Sequence, residues 1–403
     1  MSFVASLLLA PGPASGSTDC PPLDQPPWIG VEVKGEALDA ADALLETLSA
    51  TPQVGFAMSW YTWDGTDQLL NIGAAGSIQA AEAVVADMKG VDDAMPPTKL
   101  VSVPYSWAEL EGYQIQVDEL LSEKQIPFTS EKRPDTGVIE VQLQPEAAES
   151  FSASLEALAP PCTVRIETTD TAAGGFFDIS RNDQPPYKAG KALRVLNPAG
   201  TFGCESGFVF QNGSGPLLGS MSGHCSKGAG RTVTDNLSPF TTVGSTVSPN
   251  PFWASQPANA DGVMYDLAFA NSDVQSRVIV NESLQEDVVG KVGESAISAG
   301  SQGCRALISI DEHCGAIDDL DVTFGANTTD PVTGATVFKS VRHEYCFDEN
   351  TASGGDSGAP VYRYTTGGVK ALGLHSGHNS SLGDCFSPQS RIASETGTHV
   401  VLA

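Results

Sequence analysis

Residues 352–361, with the sequence ASGGDSGAPV, surround one serine with glycines and place a carboxylate directly before it. A serine hydroxyl is a weak nucleophile until a base within hydrogen-bond reach takes its proton, and that base needs an acceptor to fix its tautomer. Glycines let the backbone turn sharply, so that two N–H groups can point at one developing oxyanion. Ser357 is therefore a candidate nucleophile, and the N–H groups of Gly355 and Ser357 are candidate oxyanion donors.

A base and an acid for Ser357 occur upstream, in the order His, Asp, Ser. His224 stands in the turn-like sequence GSMSGHCSKG, and Asp266 stands at the mouth of the apolar strand MYDLAFA. An isolated carboxylate would be costly there unless it is hydrogen-bonded. We therefore predict that Asp266 orients His224 and that His224 serves Ser357. The alternative for His224 is a structural residue in a turn beside Cys225.

The net charge of the 403 residues is −28 and is unevenly distributed. Residues 1–180 contain 27 Asp and Glu, 7 Lys and Arg, and no histidine. Such a surface repels nucleic acid and anionic lipid, which excludes both as expected partners. We predict a role in binding or folding for this region, because it offers neither a nucleophile nor a ligand cluster.

The eight cysteines include no CxxC pair, which disfavours a zinc site and suits four disulfides in an exported protein. Residues 1–19 have the apolar core and small residues of a signal peptide. No apolar run approaches the length of about 20 residues that spans a bilayer. The acidic run 311–322 fits no calcium loop, so we interpret its carboxylates as solvated. We predict a secreted protein without metal or cofactor.

The patterns divide the chain into two folded parts, which we call the acidic part (20–167) and the β part (193–403). In the acidic part, Ser106 and Glu109 form a capping box before a helix, GVIEVQLQ alternates as a strand, and EAAESFSASLEAL is an amphipathic helix. Upstream, WIGVEVKG and EALDAADALLETL repeat the order of strand and helix. Residues 168–192 are rich in Gly, Pro, Asp and Thr, which predicts a linker with a processing site.

The β part resembles a known family. GDSGAP, together with SGHC and DLA upstream, is similar to the chymotrypsin-fold serine peptidases. GCESGF, GCRALISIDEHCG and LGLHSGH resemble their streptogrisin and α-lytic group. The resemblance implies two six-stranded antiparallel β-barrels and a serine endopeptidase that works through an acyl-enzyme. Residues 99–168 resemble the α/β pro-region of this group, which implies an intramolecular chaperone and inhibitor, whereas residues 21–98 resemble nothing we can name.

The resemblance also implies pairings that the sequence alone leaves open. Six cysteines allow 15 sets of three bridges. The order of cysteines in the family implies the bridges Cys204–Cys225, Cys304–Cys314 and Cys346–Cys385, and Cys20–Cys162 is then left in the acidic part. In this group the carboxylate before the nucleophile is buried on an arginine, which implies an ion pair between Asp356 and Arg305. A solvated Arg305 is the alternative.

The strand LGLHSGH resembles the wall of the family's specificity pocket. Ser376 and Gly377 should pair with the substrate backbone as an added strand. His375 occupies the position at which glutamyl endopeptidases of this group hold an acidic side chain, and His378 lies nearby. This implies a preference for Glu before the cleaved bond. The alternative is that His375 packs under the pocket without a selective role.

Two other function classes compete with the peptidase. A catalytically inactive binding protein of the same fold would lose a triad member or the oxyanion glycines, and the sequence keeps them. An α/β-hydrolase esterase needs the chain order Ser, acid, His, which is the reverse of the order found here. We therefore expect a monomer whose partners are polypeptide substrates and its own acidic part.

Overall fold

The computed structural model of this chain is mostly β, with few helices. Some predictions fall outside the residues it describes: the signal segment 1–19, Cys20 with its bridge to Cys162, the strand after Trp28, and most of the linker. The structure describes residues 28, 37–63, 68–89, 95–168, 187–235, 240–267, 274–280, 284–379 and 382–403.

The first unit of the acidic part is a three-stranded sheet against which two helices pack. Leucines and alanines recur every three or four residues along the first helix, so one helical face is buried. The strands follow the order β1-β2-β3, and β2 and β3 are parallel. The elements are α1 (Ala37–Ser49), β1 (Phe56–Trp63), β2 (Gln68–Ala74), α2 (Ile78–Lys89) and β3 (Thr98–Ser102).

The second unit contains the helix and strand that the sequence predicted most directly. The capping box is present, because the Ser106 N–H donates to Glu109 Oε2 at 2.8 Å and the Glu109 N–H donates to Ser106 Oγ at 3.4 Å. The alternating residues Ile139, Val141 and Leu143 are all fully buried. The elements are α3 (Trp107–Glu123), β4 (Phe128–Arg133), β5 (Val138–Leu143), α4 (Pro145–Glu156) and β6 (Val164–Thr168).

The β part is built mainly of strands, as its sequence predicts, but three of them have 12 to 19 residues and are longer than expected. Its described residues also form two short α-helices. One strand, at residues 187–189, falls inside the predicted linker and pairs in parallel with the strand at residues 274–279. The helices are α5 (Pro251–Ala254) and α6 (Gln389–Thr396). The strands are β7 (Tyr187–Ala189), β8 (Ala192–Asn197), β9 (Gly200–Glu205), β10 (Phe210–Gln211), β11 (Leu217–Met221), β12 (Thr232–Asp235), β13 (Thr242–Thr246), β14 (Val263–Leu267), β15 (Val274–Ile279), β16 (Gln285–Lys291), β17 (Ser301–Leu307), β18 (Asp311–Thr329), β19 (Thr336–Phe347), β20 (Pro360–Thr365), β21 (Gly368–Asn379), β22 (Gly383–Pro388) and β23 (His399–Val400).

These strands form two main sheets. One contains β8 to β14 together with β23, in the order β23-β10-β11-β14-β13-β12-β8-β9. The other includes β15 to β22 and also takes in β4 to β7. This mostly β arrangement is consistent with a chymotrypsin-like fold, and the division into two six-stranded barrels stays a prediction. The three bridges that the resemblance implied, Cys204–Cys225, Cys304–Cys314 and Cys346–Cys385, are present.

The acidic part is continuous with the β part in both backbone and core. Strand β4 pairs antiparallel with β18, so the second sheet extends into the acidic part through β4, β5 and β6. One apolar cluster contains Leu44, Leu45 and Tyr61 from the first unit together with Ile317 and Leu372 from the β part. Neither part therefore buries all of its apolar surface alone.

Ion pairs also cross this boundary. Arg363 Nη1 binds Asp42 Oδ1 at 2.7 Å, and Arg342 Nε binds Asp118 Oδ2 at 3.3 Å. Burial raises the pKa of Asp118 to about 6, although Arg342 opposes the shift. None of the described helices is long and apolar enough to cross a membrane.

Candidate active site

His224 lies in a short helical turn (Gly223–Cys225) that the Cys204–Cys225 disulfide ties to β9. Its Nδ1 lies 2.6 Å from Asp261 Oδ2, and its main-chain N–H donates to Asp261 Oδ1 at 2.9 Å. Both side chains are buried, with 7 % and 2 % of their surfaces exposed. One carboxylate therefore fixes both the ring and the backbone of His224, and Nε2 is the nitrogen that would accept a proton.

The glycine before His224 is required by this close approach. A Cβ atom on Gly223 would lie 2.8 Å from Asn250 Oδ1 and 3.1 Å from Asp261 Oδ1. The Asn250 amide in turn donates to the Gly223 carbonyl at 2.9 Å, and the edge of the Phe252 ring packs on the imidazole. The absence of a side chain at Gly223 therefore leaves room for Asn250 and Asp261 beside His224.

The predicted acid, Asp266, is not the partner of His224, and this prediction was wrong. Asp266 lies near the end of β14, where its side chain is exposed and accepts hydrogen bonds from the N–H and hydroxyl of Ser245 at 2.9 and 2.7 Å. Asp261 precedes the apolar strand β14, whereas Asp266 is its second-last residue. Only the start of this strand lies next to the turn that carries His224.

Ser357 is buried in the glycine-rich turn that follows β19. Gly355 and Gly358 both have φ of +101°, a conformation that favours glycine. A Cβ atom on Gly358 would also lie 2.2 Å from the carbonyl oxygen of Glu205. The glycines around Ser357 therefore provide both the turn and the space that the sequence suggested.

Three contacts join the Ser357 turn to the His224 turn. The Glu205 N–H, next to the Cys204–Cys225 bridge, donates to the Ser357 carbonyl at 2.8 Å. The Ser222 hydroxyl and the Gly358 N–H donate to the same acceptor, the carbonyl of His375, at 2.8 and 2.7 Å. A Cβ atom on Gly358 would lie only 3.0 Å from Ser222 N. The backbones that flank Ser357 and His224 are thus packed against each other.

The backbone of the turn leaves the two predicted oxyanion donors available. The N–H groups of Asp356, Gly358 and Ala359 donate to carbonyls of the protein. Within the described part of the chain, neither the Gly355 N–H nor the Ser357 N–H donates to a protein acceptor. Their role as a pair of oxyanion donors remains a prediction.

Asp356 is buried as predicted, but its partner is not Arg305, so the predicted ion pair was wrong. Its Oδ1 accepts from the Ser309 N–H at 3.0 Å, and its Oδ2 accepts from the Ser309 hydroxyl at 2.5 Å and the Ser353 N–H at 2.7 Å. Ser309 lies in the loop closed by the Cys304–Cys314 bridge. The loop therefore does anchor Asp356, but with neutral donors.

Arg305 binds Asp384 instead, Nη1 to Oδ2 at 2.5 Å, and both side chains are fully buried. Its alternative role as a solvated charge is therefore excluded. The same Asp384 oxygen accepts from the N–H and hydroxyl of Thr351, each at 2.9 Å, and from the Ala352 N–H at 3.0 Å. Burial alone would raise the pKa of Asp384, but His375 and Arg305 lower it below its usual value. Asp384 thereby anchors the loop that leads into the Ser357 turn.

The predicted pocket strand is β21. Its pairing with β20 ends at Pro360 and Leu374, and beyond that point β22 is its partner, with Gly377 opposite Cys385. A Cβ atom on Gly377 would meet nothing within 4 Å. The segment Ser376–Gly377 therefore has one edge that no described strand covers and open space beside it.

The two histidines of this strand differ in exposure. His375 is buried, and burial lowers its pKa, although nearby Asp384 acts in the opposite direction. His378 is half-buried and lies opposite Asp384 in the sheet register. Their predicted roles in substrate binding remain predictions.

Sequence reasoning missed three carboxylates of the site: Asp261, Asp384 and Glu344. Glu344 lies in β19 and is fully buried, and its two carboxyl oxygens are hydrogen-bonded to the hydroxyls of Ser376 and Ser387. Its only sequence signal is its place two residues before Cys346. Burial raises its pKa to about 8.

Among the described residues, two groups of side chains have the composition of a metal site. Glu294, Asp321 and His343 bring ligand atoms within 4.8 Å of one another. Each of these three already has a protein partner, since Asp321 binds His343 and Lys132 and Glu294 binds Arg391. In the other group, the two cysteines form the Cys304–Cys314 disulfide.

The carboxylates of the acidic run 311–322 were predicted to be solvated. This prediction was wrong for Asp318 and Asp321, which are buried.

A cavity of about 560 Å³ lies at the boundary between the acidic part and the β part. Trp107 lines it from the acidic part, and Tyr345 and Arg391 line it from the β part. None of the predicted site residues lines this cavity, so it is separate from the Ser357 turn.

Comparisons with known proteins give structural matches only. No family model and no curated protein matches the chain. Among solved structures, protease A from Thermobifida fusca is 21 % identical, with a TM-score of 0.38 over 53 % of this chain and 98 % of that chain. The Nocardiopsis protease NAPase is 20 % identical, with a TM-score of 0.38 over 53 % of this chain and 99 % of that chain.

A third solved structure is described as a glutamic acid specific serine protease that uses a novel histidine triad in substrate binding. It is 19 % identical, with a TM-score of 0.39 over 53 % of this chain and the whole of that chain. A fourth solved structure is described as an α-lytic protease homolog, which names part of the group that the sequence resembles; it is 20 % identical, with a TM-score of 0.37 over 52 % of this chain and 97 % of that chain.

Proposed function

We propose that this chain is a secreted serine endopeptidase made as a precursor. Ser357 attacks the carbonyl carbon of a peptide bond, and His224 takes the serine proton and gives it to the leaving amine. Water then hydrolyses the acyl-enzyme with His224 as the base. Asp261, rather than Asp266, holds the imidazole. The observation that carries the proposal is the double contact of Asp261 with the ring and the main chain of buried His224.

The oxyanion and the substrate backbone complete the reaction geometry. In this proposal the N–H groups of Gly355 and Ser357 hold the oxygen that becomes negative in the tetrahedral intermediate. The uncovered edge at Ser376–Gly377 receives the substrate as an added strand.

The proposal includes a preference for glutamate before the cleaved bond. Its support is chemical, because an imidazole N–H is a suitable donor for a carboxylate. His378 is half-buried and directly follows Gly377, which has open space beside it, and the buried His375 lies two residues before Gly377. A library of peptides varied at that residue tests the preference. We expect His378→Gln and His375→Gln to reduce cleavage after Glu more than cleavage after Leu, and equal losses would contradict the preference.

The acidic part acts, in this proposal, as a pro-region that templates folding and blocks the site. The pairing of β4 with β18 and the shared apolar core support a templating role. Cleavage falls in the linker at 168–192, in the stretch before β7. The three disulfides support an oxidising, extracellular destination.

The decisive experiment compares the wild-type full chain with Ser357→Ala, expressed with export. We expect peptide hydrolysis and cleavage in the linker in the wild type, read by amino-terminal sequencing of the secreted product, and neither in Ser357→Ala. Asp266→Asn is the matched control and should retain both. Full biological activity of Ser357→Ala without peptide hydrolysis would favour the inactive binding protein instead.

A further inference from the structure

Glu344 connects two parts of the site that the mechanism above treats separately. Its Oε1 binds the hydroxyl of Ser387, and its Oε2 binds the hydroxyl of Ser376. The oxygen of Ser387 also accepts the main-chain N–H of Asp261 at 2.8 Å. A continuous chain of hydrogen bonds therefore runs from the backbone of Asp261 through Ser387 and Glu344 to Ser376 in the pocket strand.

The surroundings of Glu344 determine its charge. It is fully buried, it lies opposite Val322 of β18, and its polar contacts come from β21 and β22. Among the described residues no cation pairs with it, and the charged group that acts on it is Asp261. An ionised carboxyl in such a place costs much free energy. The raised pKa of Glu344, about 8, agrees with a neutral acid at pH 7.

The hydrogen atoms of this chain also fit the neutral acid. Each serine hydroxyl has one hydrogen to donate. Ser387 donates its hydrogen to Glu344 and accepts from the Asp261 N–H. If Glu344 carries a proton on Oε2, it donates to Ser376, and Ser376 is then able to donate to the carbonyl of Cys385, 3.2 Å away. If Glu344 is ionised, both hydroxyls donate to it, and Ser376 no longer donates to the Cys385 carbonyl.

We propose that Glu344 is a positioning residue that, as a neutral acid, fixes Asp261 against His224 and fixes Ser376 in the pocket strand at the same time. This inference rests on the proposed function, because Asp261 matters only if His224 is a base. Glu344 touches neither His224 nor the substrate, and it acts through Ser387 on one side and Ser376 on the other. Its ionisation would add a second negative charge beside Asp261 and release Cys385 from Ser376.

Glu344→Gln separates the hydrogen bonds from the charge. The amide has the same shape, accepts from Ser387 with its oxygen and donates to Ser376 with its nitrogen, but it does not titrate. We expect the value of kcat/KM for Glu344→Gln at pH 7 to stay within about threefold of wild type, since the contacts persist. The wild type should lose about fivefold or more between pH 7.5 and 9.5, with a midpoint near the pKa of Glu344, and Glu344→Gln should not. The same alkaline loss in both proteins would overturn the proposal.

A second set of variants tests the route through Ser387. We expect Ser387→Ala and Glu344→Ala to lower kcat by about tenfold each, with KM little changed, because each loosens Asp261. The double variant should lose little more than either single variant, since both act through one contact. Fully additive losses would sink the proposal. A change in the preferred residue before the cleaved bond in Glu344→Gln would also sink it, because Glu344 would then be part of the pocket.

Parallel assays distinguish this inference from the proposed function. Asp266→Asn should keep the wild-type pH profile, because its carboxylate lies on the exposed end of β14. If Ser357→Ala keeps peptide hydrolysis, the proposed function and this inference both fail. If Ser357→Ala is inactive and Glu344→Gln shows the wild-type alkaline loss, only the role of Glu344 fails.

Discussion

In the acidic part, Asp42 and Asp118 bind arginines that belong to the β part, whereas in the β part Asp261 and Asp356 bind N–H groups of their own region. The first two carboxylates join the acidic part to the β part. The other two hold the backbone of the turns that carry His224 and Ser357. The same chemical group therefore has a docking function on one side of the boundary and a positioning function on the other.

This difference depends on which donors each carboxylate meets. A buried arginine such as Arg363 requires a carboxylate, and that carboxylate comes from the acidic part. Carboxylates that face backbone donors need no cation, and Asp356 has only neutral donors. The comparison predicts that variants in the β part change reaction rate, and that variants in the acidic part change stability.

The largest effect is expected for Asp261→Asn. The amide would favour the wrong tautomer of His224, so kcat should fall by about 10⁴-fold, the size seen when a triad acid is replaced in this way. Asp266→Asn is the matched control from the same strand and should change kcat less than about twofold, since its carboxylate is exposed. Steady-state hydrolysis of one peptide by both variants checks this. A comparable loss in the two variants would break the assignment.

The next effect concerns docking. Asp42→Ala leaves the buried Arg363 without its carboxylate, which should lower the free energy of unfolding by about 3 to 5 kcal/mol. Asp39→Ala is the control on the same helix, where Asp39 meets the partly exposed Lys370 and the cost should be below about 1 kcal/mol. Urea unfolding of the full chain, made inactive with Ser357→Ala, measures both. Equal costs would remove the distinction between docking and surface carboxylates.

A third effect depends on pH and concerns Glu344. Burial raises its pKa in the folded protein from 4.5 to about 8, so the folded state binds the proton more tightly than the unfolded state does. Its contribution to stability is therefore fully present below about pH 4.5 and is lost as the pH rises towards 8, by at most about 1.4 kcal/mol per pH unit. Glu344→Gln should flatten this dependence in urea unfolding at pH 5, 6.5 and 8. An unchanged slope would assign the dependence to other groups.

The smallest effect is local to the acidic part. Ser106→Ala removes the cap of α3 and should lower the free energy of unfolding by about 1 kcal/mol. Ser150→Ala, in the exposed middle of α4, is the control and should cost less than about 0.5 kcal/mol. The peptidase rate of the processed enzyme should not change in either variant. A loss of rate in Ser106→Ala would show that the two parts are coupled more closely than the comparison implies.

The helix cap at Ser106, the alternating strand at 138–143 and the glycines around Ser357 were all predictable, because each depends on contacts within a few residues. Asp261 was not predictable in the same way. Asp261 and Asp266 lie at the two ends of one apolar strand, and nothing local indicates which end meets His224. Arg305 presented the same difficulty, since its partner Asp384 lies in another strand of the sheet.

The amino-acid sequence by itself determined the glycine-rich turn around Ser357, the alternating strand at 138–143 and the capped helix, because short-range geometry and chemistry specify them. Only the tertiary structure decided which carboxylate holds His224, which donors surround Asp356, and that Glu344 is buried between Ser376 and Ser387. These choices depend on the pairing of strands that are far apart in the chain. A single shift of such a pairing would bring a different carboxylate to the same place.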